Sequence, residues 1–322
     1  MLSNQNFEDN LEGLQQQYNI FIEKINRLRN ALAIETDVTR CLQYEQLLEQ
    51  AKVKQEELDW QMSQIKNQRL YHSLLKLDYT DQEQLFSRFI WRHQIAAFLI
   101  HGSSQDYGQH WLANRLLKKI RRVSDRPVLV DLDCLVYNPN SQTMWRELGR
   151  HFGGIKDSPD LIAGKIFKSW TTKNIYIVVD NVEFMSEQLL QELIQEFWLP
   201  LATQAQSVAS QTNFKLLMFL IDNVSSVESQ SWSVSFAENF EQTWSCSTPV
   251  KLPLINVFSD TVLRNWINHE FDDINQLVFI ENIERVIQTI LENSEAGMPI
   301  PAFREICNLC ECEWLEEWLK IC

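Results

Sequence analysis

Three stretches of this chain place polar side chains at the ends of apolar runs, where a phosphate-handling site would keep its chemistry. The first runs from Ile95 to Leu117 and includes Phe98-Leu-Ile-His-Gly-Ser-Ser-Gln-Asp-Tyr-Gly-Gln-His-Trp-Leu112. It reads as a strand, a short Gly/Ser loop and an amphipathic helix. That layout presents backbone N–H groups and a helix N-terminus to a phosphate, as a P-loop does. Aligned on Gly108, however, Gln109 stands where G-x-x-x-x-G-K-[ST] has Lys, and His110 stands where it has Ser or Thr. Ser103 takes the first Gly position, with Gly102 one residue early. The Lys neutralises β/γ-phosphate charge and the hydroxyl binds Mg²⁺. Gln109 donates hydrogen bonds without charge, His110 is a bulky imidazole, and Asp106 adds negative charge beside the loop. ATP affinity should be weak or absent, and an ordinary strand-loop-helix turn without a ligand is the competing reading.

The second stretch is Val178-Val-Asp-Asn181. Asp180 follows an apolar run, where a Mg²⁺-holding carboxylate would sit. The next position, which in a hydrolase carries the acid that polarises water, is Asn181, with Glu183 two residues on. Asn accepts no proton, so hydrolysis lacks its general base. Asp180 is equally suited to cap the helix that follows. The third is Asp222-Asn223, at a sensor-like position where a polar side chain would meet a γ-phosphate. The order and spacing of the three point to a P-loop-like fold, and the same residues argue against an active ATPase.

The 322 residues suffice for two domains, or for one domain with an extension. A net charge of −14 disfavours general binding to nucleic acid or anionic membranes. No run of apolar residues is long enough to span a bilayer, and the polar, acidic first residues do not read as a signal peptide. Seven cysteines without a disulfide-framework spacing suit reduced thiols, so the expected setting is cytoplasmic.

Residues 7 to about 67 are almost free of Gly and Pro. Tyr18, Phe21, Ile22, Ile25, Leu28 and Leu32 follow helical three-and-four spacing. Ile34-Glu-Thr-Asp37 interrupts the pattern, and Thr36 or Asp37 would cap a second helix carrying Leu42, Leu47, Leu48, Ala51, Leu58, Met62 and Ile65. Two long helices with a short break predict an antiparallel hairpin with a coiled-coil-like seam. It serves either as a spacer or as a module for partner binding or self-association.

A linker helix over 71–92, capped by Asp78 or Thr80, leads into strands at 95–100, 127–133, 175–180 and 214–222, with an edge strand at 249–254. Helices are expected at 144–152 (ended by Gly153-Gly154), 161–170 and 185–197 (stopped by Pro200). Residues 224–248 read as a loop-bearing excursion, and helices at 261–270, 281–292 and 301–321 close the chain. Apolar strands alternating with helices mean a doubly wound parallel α/β sheet. The expected organisation is a helical hairpin over 1–68, a degenerate P-loop α/β domain over 69–255 and a helical, winged-helix-like region over 256–322.

The run Leu75-Lys-Leu-Asp-Tyr-Thr-Asp-Gln82, the core Tyr107-Gly-Gln-His-Trp-Leu-Ala-Asn-Arg-Leu116 and the ending Pro301-Ala-Phe-Arg-Glu-Ile-Cys-Asn-Leu-Cys310 resemble the inactive STAND domains of cyanobacterial conflict-system proteins. The resemblance covers roughly residues 70–322. It implies a relative of signal-transducing P-loop ATPases that has lost the phosphate-binding Lys and serves as an assembly or sensor module. The hairpin, with Leu28-Arg-Asn-Ala-Leu-Ala-Ile-Glu-Thr-Asp37, is similar to the effector-associated helical regions that couple such modules to effectors.

Two further clusters carry side chains with potential chemistry. Lys118, Lys119, Arg121, Arg122 and Arg126 form the one dense basic run, and at a helix end such charge complements the dipole and is usually a solvated face. Cys307, Cys310 and Cys312, with Cys322 beyond, lack the second ligand pair of a zinc ribbon and read as core thiols beside Trp314 and Trp318. Cys134 and His151 show no oriented partner for nucleophilic work. The resulting expectation is a non-catalytic signalling or assembly adaptor with no cofactor or metal. Its nucleotide site would be vestigial, built of Gly102, Ser103, Gly108, Gln109, His110, Asp180, Asn181 and Asp222. The alternatives are a divergent NTPase using Gln109 and Asp180, and a nucleic-acid-binding regulator acting through the C-terminal helices.

Overall fold

Short continuous apolar runs form the strands of this protein. A computed structural model describes the chain except residues 1, 123–124, 154–157, 230–231, 233, 240, 242–243, 276–281 and 322. Gly154, Glu281 and Cys322, named above, thus lie outside the described residues. The strands are β1 (Ile95–His101), β2 (Val128–Asp131), β3 (Ile175–Asp180), β4 (Leu216–Asp222) and β5 (Val250–Lys251), all parallel, in the order β2-β3-β4-β1-β5. The helices in chain order are α1 (Leu2–Ile34), α2 (Val38–Leu74), α3 (Thr80–Arg92), α4 (Gln109–Ile120), α5 (Ser141–His151) and α6 (Pro159–Trp170). They continue as α7 (Glu187–Glu192), α8 (Leu199–Val208), α9 (Ser226–Ser229), α10 (Asp260–Asn275), α11 (Ile283–Asn293) and α12 (Pro299–Leu309). Among the described residues no helix is long and apolar enough to cross a membrane.

The chain divides into two compact units. One joins residues 1–76 with 264–283 and 306–314, and the other joins 77–263 with 284–305 and 315–322.

In the first unit α1 and α2 form the hairpin. Asp37 caps α2, its carboxylate accepting from the N–H groups of Thr39 (2.8 Å) and Arg40 (3.2 Å). α2 runs on without a break through residue 68 to Leu74. Ile25, Ala51, Leu58 and Met62 are buried. A two-helix pair buries little alone, and here later segments complete it. Trp266 Nε1 donates to the Ser73 carbonyl at 2.9 Å. Glu270, 7% exposed, accepts from Ser73 Oγ and Lys76 Nζ, and the Glu313 N–H donates to Asn67 Oδ1. Ile34, Val38 and Leu42, at the hairpin tip, remain exposed.

In the second unit every residue of β1, β3 and β4 is buried, as a parallel sheet covered on both faces requires. Ile95, Ala97 and Leu99, with Leu216, Met218 and Leu220, share one core with Trp145 of α5, Ile166 of α6 and Leu201 of α8. On the opposite face Phe98 stacks on Phe219 at 5.7 Å between centroids, and Phe86 of α3 meets both. The end of α4 lies on that face too, since Tyr176 Oη donates to the Ile120 carbonyl. Helices therefore leave the sheet to opposite sides around β1 and β4, which opens a crevice at the carboxyl ends of those strands.

Three expected elements differ. Pro200 does not stop a helix: residues 193–198 form a π-helical turn, the Leu199 N–H reaches back to Ile194, and Pro200 follows where the helix resumes as α8. Neither Asp78 nor Thr80 caps α3; Tyr79, in the left-handed region at φ 63°, holds that place. The terminal helix ends at Leu309 instead of Ile321, because Glu311 turns left-handed (φ 49°) and the Cys312 N–H closes back onto the Cys307 carbonyl.

Burial pushes the thiols of Cys307, Cys310 and Cys312 up, to about 12 for Cys310 and about 11 for Cys312. Among the described residues no group of three or more His, Cys, Asp and Glu side chains could hold a metal ion. Cys307 and Cys310 should therefore stay unmodified by iodoacetamide at pH 8 in the native protein and react after unfolding, as peptide mass spectrometry would read. Asp37→Ala should cost the hairpin about 1 kcal/mol, measured as a lowered urea midpoint.

Candidate functional site

The loop after β1 is held shut by its own side chains. Gln109, the first residue of α4, is fully buried, and its Nε2 lies 3.2 Å from the Gly102 carbonyl, 2.9 Å from that of Ser104 and 3.4 Å from that of Asp222. The N–H groups of Tyr107 and Gly108 are engaged in a local 3₁₀ turn with the carbonyls of Ser104 and Gln105. The loop thus turns three carbonyl oxygens toward the Gln109 amide and commits the Tyr107 and Gly108 N–H groups to itself, which disfavours an anion at that point. Close packing maintains this shape. A Cβ on Gly102 would meet Gln109 Nε2 and Tyr107 Cβ, each at 2.8 Å. Gly108 lies in the left-handed region at φ 77°, where a Cβ would come 2.9 Å from the Tyr79 hydroxyl and 3.2 Å from Ile300 Cδ1. Ser103 and Asp106 are exposed at the loop's outer side.

The helix behind the loop is anchored by polar side chains as well. Arg115 is buried on α4, pairs with Glu83 of α3, and donates from Nη1 to the Leu77 carbonyl at 2.8 Å. Asn114 Nδ2 donates to the carbonyls of Trp318 and Lys320. Trp111 packs on Phe303 at 4.5 Å between centroids.

His110 points along the crevice to β3, its Nε2 2.7 Å from Asp180 Oδ2. The other Asp180 oxygen accepts the N–H of Asn181. Asn181 is left-handed (φ 60°), a conformation Asn tolerates better than most residues. Its Nδ2 donates to Asp131 Oδ1 (2.9 Å) and Asp133 Oδ1 (2.8 Å), and its Oδ1 accepts from Asn223 Nδ2 (3.1 Å). The Asn223 N–H in turn donates to Glu183 Oε2. A chain of amides therefore links the carboxylates at the ends of β2 and β3 to the end of β4. Burial, with Asp131 and Asp180 beside it, raises the Asp133 carboxyl above its usual range. Glu183 is raised as well, mainly by burial.

Asp222 is fully buried, and its carboxylate accepts N–H groups from Val224, Ser226 and Val227. It caps the turn of α9 from within. His101, its register partner on β1, has Nε2 2.9 Å from the Leu252 carbonyl.

The structure thus gathers Gly102, Gly108, Gln109 and the Asp222 backbone at one end of the crevice, and His110, Asp180 and Asn181 along it. Ser103 faces solvent, and the side chain of Asp222 caps a turn. Asp131 and Asp133 were not singled out from sequence. Their signal is an acid closing an apolar run, the pattern that marked Asp180.

Residues 74–221 match the family model described as inactive STAND. That segment is an inactive STAND domain. It spans the loop, Asp180 and Asn181, and ends one residue before Asp222. Among curated proteins none matches the chain. Within the matched segment of this inactive STAND domain, the loop after β1 holds the Gln109 amide at its centre.

Gln109→Ala leaves buried carbonyls without their donor and should cost about 1–3 kcal/mol in a urea titration, while Gln109→Glu should cost more because it sets a carboxylate among them. The raised carboxyl of Glu183 gives a signed pH effect. The unfolded chain ionises this group first, so its charge costs native stability as pH rises through the folded value. Glu183→Gln keeps an acceptor for the Asn223 N–H. It should stabilise the protein more at pH 7 than at pH 4, as paired thermal melts would measure.

Proposed function

We propose that this protein is a non-catalytic signalling or assembly adaptor, in which a P-loop-like domain that has lost nucleotide hydrolysis serves as a structural module. The observation that carries this reading is the Gln109 amide bonded to the carbonyls of Gly102, Ser104 and Asp222. Phosphate entering there would displace those bonds and face carbonyl oxygens, at a cost of about 1–3 kcal/mol for each buried group left unmet. Catalysis needs more than binding. Asn181 occupies the position of a water-polarising acid, and Asp180, where a divalent cation would be held, bonds to His110 instead.

Coupling to a protein partner or a second copy falls to the helical hairpin. Ile34, Val38 and Leu42 sit exposed at its tip, and Trp60 is 63% exposed on α2. A bacterial conflict setting follows from the resemblance of the domain, and a cytoplasmic location from the cysteine pattern; both stand as part of this proposal. Nucleic-acid binding is disfavoured by the net charge of −14.

The test is phosphate release from ATP with Mg²⁺, read beside calorimetry on the parent and on His110→Ala. The expected result is release no faster than without protein. Hydrolysis above that rate, or ATP binding that His110→Ala abolishes, would overturn the reading.

A further inference from the structure

The opposite edge of the sheet carries a second and independent feature. In a parallel sheet each crossover helix ends near the amino end of the next strand, and here α5 and α6 end beside the starts of β2 and β3. A cavity of about 480 Å³ opens between them, within the range of about 300–1,000 Å³ typical of small-molecule sites. Its wall is half apolar, from Val128, Phe152 and Ile175.

Its charges are one-sided. Arg126, Lys165 and Lys173 all line it, and none pairs with a described carboxylate. The Lys165 ammonium lies so close over Gly153 (φ 92°) that a Cβ there would strike it. The one acid among the described wall residues, Asp125, is engaged: its Oδ2 accepts from Asn174 Nδ2 (2.7 Å) and from the Arg122 N–H (3.0 Å). Asn174 is fixed in turn, since its Oδ1 accepts the Lys215 N–H at 2.8 Å.

Helix C-termini account for some of this positive charge. Each carries about half a negative charge, so two offset about one cation. Three cations and the neighbouring Arg121 and Arg122 exceed that, and their excess stands out in a chain of net charge −14. A small phosphate-bearing molecule fits among these cations within a cavity of this size. Its phosphate would take charge-assisted bonds from Lys and Arg, and its apolar part would lie on Phe152 and Val128.

We infer that the cavity between the ends of α5 and α6 and the starts of β2 and β3 is a binding site for a small phosphorylated ligand, separate from the closed loop after β1. Inorganic pyrophosphate is the probe, titrated calorimetrically into the full chain at low salt, alongside Lys165→Glu/Lys173→Glu and His110→Ala. The inference expects saturable submillimolar binding that weakens at least tenfold in the double variant, persists in His110→Ala and declines with added salt. The thermal midpoint of the double variant should match the parent, and Lys165→Gln/Lys173→Gln gives an uncharged second version if it does not. Absence of saturable binding, equal binding in the charge variants, or loss in His110→Ala would overturn it. So would a single-stranded oligonucleotide that binds more tightly than pyrophosphate in a manner that ignores these substitutions.

Discussion

A primary amide offers two N–H donors and no charge, and the behaviour of the loop after β1 depends on where Gln109 directs them. Three carbonyls converge on its Nε2, from two points in the loop and from the end of β4. Carbonyl oxygens repel one another at this spacing, so the arrangement exists only with a donor at its centre. The amide supplies that donor from within the chain and removes the need for an outside one. An ammonium in the same place would satisfy the carbonyls but would add a buried charge requiring an anion nearby. The amide at this position and the inward turn of the loop's carbonyls therefore stabilise each other.

The same substitution of internal groups for ligand groups recurs along the crevice. Carboxylates at the ends of β2 and β3 would repel one another as their charges are brought together. Asn181 places an N–H₂ group between Asp131 and Asp133, and His110 faces Asp180. The Asp133 carboxyl is raised first by burial and then by the charges of Asp131 and Asp180 beside it. Asn181 reaches both acids because its backbone is left-handed, so the conformation and the bridging role are one feature.

Much of this was legible in the sequence, and the missing parts have physical causes. Continuous apolar runs identified the buried strands, since a sheet covered on both faces leaves no polar alternation to hide them. The break at Asp37 located the hairpin turn through a capping rule that acts locally. Gln109, His110, Asp180 and Asn181 could be named because their places follow from strand ends and a short loop. What the sequence could not show was direction. Whether Gln109 faces a phosphate or its own loop depends on carbonyls as distant in sequence as Asp222, and the sidechain of Asp222 depends on the turn after it. Pro200 misled because a π-helical turn is set by packing of Phe197 and Trp198 in the core, which local propensity does not encode.

A parallel sheet sorts charge between its two edges, and that sorting gives the final step. Helix N-termini gather at the carboxyl edge, where their partial positive charge favours anions, and C-termini gather at the other edge, where cations are favoured. In a nucleotide-binding domain the anion at the carboxyl edge comes from outside as phosphate. Here the protein supplies it: Asp222 takes the N–H groups at the start of α9, while Asp131, Asp133 and Asp180 crowd the adjoining strand ends. With those carboxylates in place, a phosphate arriving at that edge meets both inward carbonyls and like charge. At the amino edge the cations exceed what the helix ends require, and no described carboxylate answers Lys165 or Lys173. The electrostatic preference for an external anion has therefore moved from the carboxyl edge of the sheet, where the fold would put it, to the edge where the helices end.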